Sequence, residues 1–577
     1  MTSCSKNNDV SSAIHEPTAA DGVQLVFWND FHSGLYESVN VKTPDIAIGG
    51  LPVWMSAVEY LKGDGLSLVL DAGDMFQGAT PLNELKGMGT IEIMNAVGVD
   101  AATLGNHEFD YGPNAQYPDS PQGALTSAIA ASKFAWVDAN VHASSADNAN
   151  WPPQGLKPYT IINKGPYRIA VTGVTTVETR TTTNTLNIAG IEFENPAQAL
   201  TRVIPEIVKE DPDFIIVLGH LTGAPTALPE FNQVTEGAQF SDEIGEIMAL
   251  PDEIKGKIGL LVTGHLHISF LAKDGEKILS QGLASGNELT AIKLVPKKEG
   301  KGLEIAPDSI HKYRLTHKPI YKGCGVGYDH PETLEVGGLT LKPDERGYAL
   351  TTKFEEAMSE GLCDVIACTA EPFYRNPEGE SAIANIVANA EHKYYPEADA
   401  VLMNAGSLRT DWGAGTLYRE TVTSMMPFDN KIVQAELTGQ QIIDVLKVSS
   451  TLHHRIMEVS GIQYAIQPNC GRAAEDLDKN GTTDNWEVSC LCSGVMIGGE
   501  SIDVNKKYKV AMSDFIFNGG DSLEGILKSA VKLDEGPVIK QLLNEYLKSF
   551  NACLTESQFI DSSSPRITTT GTCSSFL

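Results

Sequence analysis

The stretch "VDAATLGNHEFDYG", Val99–Gly112, runs an apolar-leaning segment straight into an amide, an imidazole and two carboxylates. Asn106, His107, Glu108 and Asp110 sit just past what reads as the end of a short strand. A solvated loop has this composition, and so has the mouth of an active site. The other strand ends of the chain decide between the two.

From Val23 onward, short apolar runs alternate with helix-like segments. "VQLVFW", "LSLVL", "YRIAVTGV", "FIIVLG" and "IGLLVTG" have the length of buried strands. "LPVWMSAVEYLKG" and "PLNELKGMGTIEIMNAVG" each read as one amphipathic helix. The alternation predicts a layered α/β architecture. Between His311 and Asp344 it breaks into a Gly- and Pro-containing stretch, and a polar helix, "RGYALTTKFEEAMSEGL", follows. A second α/β unit starts near Cys363, with "AIANIVANAEHKYY" and "GQQIIDVLKVSSTL" as helices and "DAVLMNAG" as a strand. The expected division is a tether over 1–21, a first domain over 22–340, a linker helix over 341–362, a second domain over 363–560 and a tail over 561–577.

Ligands in open α/β sheets gather at the carboxyl ends of strands. Here those ends share one chemistry. They supply Asp30 and His32 in "NDFHSG", Asp74 in "DAGD", Asn106 and His107 in "GNHEFD", His220 in "GH", and His265 and His267 in "GHLH". One polar strand end means nothing; five ends that all carry metal-ligand types do. In an extended backbone, residues i and i+2 point to the same side. The pairs Asp30/His32 and His265/His267 are therefore expected to face one cluster. Asp30, His32, Asp74, Asn106, His220, His265 and His267 are too many ligands for one ion and suit two ions sharing a carboxylate. The mixed imidazole, carboxylate and amide set suits zinc, manganese or similar metals rather than calcium.

The chain has 577 residues and a formal net charge of −31, which argues against a nucleic-acid binder. No apolar run has the ~18–20 residues of a membrane span. The nine cysteines are sparse before Cys324 and crowded after it, with no C-x-x-C pair. Disulfides in an exported protein fit this clustering better than buried free thiols. The odd count leaves Cys4 over. "TSC" followed by a Ser/Asn-rich tether reads either as the end of a bacterial lipoprotein signal, with a lipid anchor at Cys4, or as a disordered tail.

"NDFH", "DAGD", "GNHEFD", "GH" and "GHLH", in this order, resemble the metallophosphoesterase signature. With the second domain, the chain resembles the 5′-nucleotidase family over roughly residues 22–550. The resemblance implies a four-layer α-β-β-α domain joined by the linker helix to a smaller α/β substrate-binding domain. It implies one metal on Asp30, His32, Asp74 and His267, and a second on Asp74, Asn106, His220 and His265. By the same resemblance His107 is the catalytic imidazole and Asp110 orients it, while Glu108 has no role beyond the loop. "NAGSLRTDWGAG", "MMPFDNKIV", "VSG" and "FIFNGGDS" resemble the family's nucleotide-binding motifs. Phe428 and Phe515 would sandwich the base, Asp521 would accept from ribose hydroxyls, and Asn404, Arg409, Asn430 and Gly461 would line the same pocket. Gly379 stands where the family usually has an arginine; Arg375, four residues earlier, is the nearest substitute.

"DLDKNGTTDNWE" fits the calcium-loop pattern in full. Asp476, Asp478, Asn480, Thr482, Asp484 and Glu487 fall at its ligand positions. It lies in an insertion over 470–492, whose base Cys470 can staple to Cys490 or Cys492. The function expected is a dimetal phosphohydrolase acting on nucleoside 5′-monophosphates, exported to the periplasm or cell surface. The alternatives are hydrolysis of UDP-sugars, 2′,3′-cyclic nucleotides or another phosphoester, or a non-catalytic calcium-binding surface protein.

Overall fold

The computed structural model describes residues 22–39, 43–144, 151–324, 326–357 and 361–577. Cys4 and the expected tether lie outside the described residues.

The first half is built on two sheets. In one, Val23–Trp28 pairs in parallel with Ser67–Asp71, and Ser67–Asp71 with Ala101–Ala102; Glu288–Pro296 closes the other side antiparallel. In the second, Tyr167–Thr175, Phe214–His220 and Leu260–Gly264 run parallel side by side. Parallel strands covered on both faces need continuous apolar sequence, which explains the uninterrupted runs. The sheets face each other across a core that includes Leu25, Phe27, Leu68, Leu70, Val171, Ile216, Leu218 and Val262. The helix Leu51–Lys62 covers the outer face of the first sheet, and Pro196–Lys209 that of the second. The result is four layers, α-β-β-α.

The second half is a smaller α/β unit on a five-stranded sheet. Its order is Met457–Ser460, Ala400–Asn404, Lys507–Ser513, Lys431–Thr438, Val531–Val538. Along Ala400–Asn404 the side chains alternate. Ala400 and Leu402 join the core under the helix Gly439–Ser449, while Val401 and Met403 join that under Ala382–Tyr394. This is the period of two that a strand imposes.

One local reading is corrected. "PLNELKGMGTIEIMNAVG" forms two helices, Thr80–Glu84 and Met88–Val97, because Lys86 and Gly87 take left-handed backbone at φ 47° and 84°. A Cβ at Gly87 would lie 2.7 Å from the Phe76 ring, so the break lets that ring pack against bare backbone. The expected linker helix is Glu345–Ala357, packed against the first half. Its Tyr348 and Phe354 are buried in the core of the first half.

Four disulfides join Cys324 to Cys363, Cys368 to Cys553, Cys470 to Cys490 and Cys492 to Cys573. They suit an oxidising compartment outside the cytoplasm. Among the described residues no helix is long and apolar enough to cross a membrane. The second half docks over the strand ends of the first. Thr80 Oγ1 donates to Thr423 Oγ1 at 2.6 Å, Asn83 Nδ2 to the Pro427 carbonyl at 3.2 Å, and the Asp521 N–H to the Thr181 carbonyl at 2.8 Å.

Candidate active site

Asp30 and His32 follow the strand Val23–Trp28, and Asp74 follows Ser67–Asp71. Asn106 opens the short turn His107–Phe109. His220 ends Phe214–His220, and His265 and His267 follow Leu260–Gly264. The expectation that Asp30/His32 and His265/His267 share a side through an extended backbone is wrong. Asp30, His32, Asp74, His265 and His267 all take left-handed backbone, with φ of 51°, 46°, 55°, 91° and 57°. Tight reversals at the strand ends, not a pleat, bring these side chains inward. Such conformations cost on the order of 1–3 kcal/mol each and persist only where the surroundings enforce them.

The seven side chains converge. His267 Nε2 lies 3.2 Å from Asp30 Oδ1 and 2.9 Å from His32 Nε2. His220 Nε2 is 3.0 Å from Asp74 Oδ2, and His265 Nδ1 is 3.0 Å from Asn106 Oδ1. Their ring tautomers fix where the lone pairs point. His32 Nδ1 faces the carbonyls of Phe76 and Gln77, each at 3.1 Å, and His220 Nδ1 faces that of Ala72 at 3.1 Å. Carbonyls only accept, so both Nδ1 atoms carry a proton and both Nε2 atoms are turned toward the cluster. The buried His220 Nε2 points straight at Asp74 Oδ2, an imidazole nitrogen against a carboxylate oxygen in a site closed to solvent. This donor set fits divalent cations. Burial pushes the His32 imidazole down to about 3. Burial also opposes charge on His220, but Asp74 and Asp30 carry it up to about 10.

His107 Nδ1 sits 2.6 Å from Asp110 Oδ2, and its backbone N–H donates to Asp74 Oδ1 at 2.8 Å. Burial works against a charged His107, but Asp110 and Asp74 outweigh it and raise its pKa. Glu108 is not a bare loop residue. Its buried carboxylate accepts the backbone N–H groups of Asp74 and Met75 at 2.9 Å, Phe76 at 3.3 Å and Gly105 at 2.5 Å. It pins the loops that carry Asp74 and Asn106 to each other.

The cluster opens into a cavity of about 1040 Å³ whose far wall belongs to the second half of the chain. Arg375, Asn404, Arg409, Phe428, Asn430, Phe515 and Asp521 all line it. Arg409 Nη2 lies 3.2 Å from His107 Nε2, with its guanidinium 5.1 Å from the Phe428 ring centre. Arg375 is held by Asp411 at 3.0 Å and by the Leu408 carbonyl at 3.1 Å. Gly461 does not reach the cavity, which corrects the expectation for it. In the antiparallel pairing Asn404 sits opposite Met457 and Val401 opposite Ser460, so Gly461 lies at the end of that strand away from Asn404.

Comparison with known proteins gives this arrangement its context. Residues 24–269 match the calcineurin-like phosphoesterase family, and residues 365–528 match the 5′-nucleotidase, C-terminal domain. The chain belongs to the 5′-nucleotidase family of metallophosphoesterases. A 5′-nucleotidase of Vibrio cholerae is 23% identical over 525 residues, covering 87% of this chain and 86% of its own. A 5′-nucleotidase of Rattus norvegicus is 23% identical over 556 residues, covering 92% and 89%. The fold is shared with the 5′-nucleotidase precursor of Thermus thermophilus, at 20% identity and TM-score 0.71 over 95% of this chain and 99% of that one. It is also shared with the sulfate thiohydrolase SoxB of Thermus thermophilus, at 16% identity and TM-score 0.67 over 96% and 98%. This member of the 5′-nucleotidase family is thus a metal-dependent phosphoester hydrolase by class.

Three cavity residues of this 5′-nucleotidase relative were not singled out in the sequence. Glu178 follows the end of Tyr167–Thr175, and the rule applied to the other strand ends would have found it. Its carboxylate lies against His265 and His453, which overcome the opposing effect of burial and hold it well below the usual range. His453 and Arg455 come from the segment after Gly439–Ser449, and no motif marks them. The Arg455 guanidinium has no hydrogen bond or ion pair among the described residues. In the predicted calcium loop, Asp476, Asp478 and Glu487 bring carboxylate oxygens within 4.8 Å of one another, but Asp484 is not in that group. The Asn480 side-chain oxygen Oδ1 instead accepts from the Thr482 N–H at 2.8 Å. Burial lifts Asp478 to about 6.

Proposed function

We propose that the protein releases phosphate from nucleoside 5′-monophosphates at a two-metal centre. The observation that carries this reading is the cluster of imidazoles and carboxylates around Asp74 and His220, facing a wall with two aromatic rings and three arginines across one cavity. Asp30, His32, Asp74 and His267 would hold one ion, and Asp74, Asn106, His220 and His265 the other, of zinc, manganese or similar character. Bound there, such a pair supplies Lewis-acid charge to phosphoryl oxygens and lowers the pKa of a water.

The chain's own residues supply the rest. Asp110 and Asp74 favour the charged His107 ring with a proton on each nitrogen, so Nδ1 donates to Asp110 while Nε2 donates to a phosphoryl oxygen as charge builds on it. Arg409 aims at the same point and completes an anion clamp. Phe428 and Phe515 offer faces for base stacking. Asp521 and Asn404 face the ribose. Burial raises Asp521 to about 7, so it serves as an acceptor above neutrality. Docking of the second half excludes water and orients the ester for in-line attack.

Purified protein loaded with manganese or zinc is expected to release inorganic phosphate from AMP. No release from metal-loaded protein would overturn the nucleotide reading. Arg455 favours a second reading. An unpaired guanidinium near Asp521 and Arg375 provides for a further anionic group, as in a UDP-sugar. A panel of AMP, UDP-glucose and 2′,3′-cyclic AMP separates these readings by kcat/KM.

The loop over 476–487 belongs to the same proposal as a structural calcium site, supported by its ligand spacing and its gathered carboxylates. Calorimetry with calcium tests it, and no heat at millimolar calcium would refute it. Export to the periplasm or cell surface accords with the four disulfides, and fractionation of wild type against Cys4→Ala tests a lipid anchor.

A further inference from the structure

Glu178 sits at the start of the short helix Thr179–Thr182, and its carboxylate faces imidazoles from both halves of the chain. Oε2 lies 3.3 Å from His265 Nε2, and Oε1 lies 3.1 Å from His453 Nε2. A His265 ring that donates from Nε2 to a carboxylate carries its lone pair on Nδ1. Nδ1 is the atom turned toward Asn106 and the rest of the cluster, at 3.0 Å from Asn106 Oδ1. Glu178 therefore sets both the tautomer and the plane of this ring, as outer carboxylates do for metal-binding histidines.

The partner on the other oxygen is equally well held. The His453 ring stacks on Trp486 at 4.5 Å with the planes 10° apart. Two further bonds from the second half reach the same stretch. The Asp521 N–H donates to the Thr181 carbonyl at 2.8 Å, and Thr185 Oγ1 donates to the Asn518 carbonyl at 3.3 Å. Thr183 Oγ1 donates to Asp110 Oδ1 at 2.7 Å. One eight-residue stretch, 178–185, thus touches a ring of the cluster, the partner of His107, and the docked second half.

We propose that Glu178 is a positioning residue that registers the second domain on the metal centre, holding His265 with one carboxylate oxygen and His453 with the other. The inference rests on the reading of His265 as a metal ligand. Seating His453 orders the carboxylate, and the ordered carboxylate fixes His265 with Nδ1 inward. Coupling of this kind is reciprocal: what tightens the metal site on docking also favours docking when metal binds.

The test titrates Mn²⁺ alone into metal-free, full-length wild type, Glu178→Ala, Glu178→Gln and His453→Ala by calorimetry, and follows the radius of gyration by solution scattering. Wild type is expected to bind two ions per chain and to contract. Glu178→Ala should lose about 10–100-fold in affinity at one of the two sites and keep the other. His453→Ala should lose less affinity and contract less, with a raised KM and a smaller change in kcat. Glu178→Gln keeps the shape but cannot accept from both rings, so it should restore melting temperature without restoring affinity. A Glu178→Ala isotherm superimposable on wild type, or full affinity in Glu178→Gln, overturns the proposal. A wild type that binds no Mn²⁺ refutes the underlying metal reading as well, and calorimetry of the wild type alone separates that failure from the other.

Discussion

His107 is fixed from three directions: Asp110 on Nδ1, Asp74 on its backbone N–H, and Arg409 at Nε2. Each contact prepares Nε2 to meet an anion, and none makes the ring a necessary metal ligand. His107→Ala is expected to lower kcat by roughly 10²–10⁴ while leaving two metals per chain, checked by steady-state kinetics beside metal analysis. Loss of metal in the variant would instead assign His107 to the metal set, where its nearness to His32 and Asp74 makes it eligible. The pairing of His107 with Asp110 was expected from the resemblance of one short motif to a known family's, and the two side chains do meet. The role of Glu108, between them, was not expected. Its work is to accept N–H groups of Asp74, Met75 and Phe76, more than thirty residues earlier in the chain, and no local pattern announces that.

At the scale of single elements, the strands were legible and their endings only partly so. Buried parallel strands announce themselves as apolar runs, and the residues just past them are the obvious donors. The left-handed backbone that turns those donors inward is only weakly signalled by composition: Asp and His adopt it more readily than most residues, but far more often they do not. A tight approach is visible only once the loops are folded together. Gly105 is such a place: a Cβ there would lie 2.1 Å from Asp74 Oδ1 and 2.6 Å from the Asp74 nitrogen. Gly105→Ala should displace the carboxylate expected to bridge the metals and weaken Mn²⁺ binding by at least about tenfold, with far-UV circular dichroism unchanged. Wild-type affinity in this variant would mean that the loop yields instead. Gly461 was misread for a related reason. Which end of a strand faces a cavity is set by antiparallel register with a partner about sixty residues away, and a short motif does not carry register.

For the whole molecule, the two-domain order was legible from the change in pattern after Asp344, but the docking was not. His453, Thr423 and Asn518 have no meaning until the domains meet. A buried acid outside the cavity bears on the stability of the whole molecule. Glu391 is fully buried with both oxygens unpartnered, and burial pushes its carboxyl up to about 8. The native state keeps a proton that the unfolded chain releases near its ordinary value, so stability falls as pH rises from about 4.5 to 8. Glu391→Gln should flatten this dependence and melt a few degrees above wild type at pH 8, with a smaller difference at pH 5. Parallel pH profiles for the two proteins would refute the assignment.

The cavity has no complete wall until the second domain is seated, and several hydrogen bonds then span the seam around whatever lies inside. On the proposed reading, phosphate and nucleoside formed there would leave as that seam parts, which ties the pace of turnover to a large body moving through solvent. Where chemistry is faster than this parting, kcat is expected to fall in proportion as sucrose thickens the medium, while a small polymeric crowder that leaves microviscosity unchanged has little effect. A kcat indifferent to sucrose would return the slow step to the bond being broken.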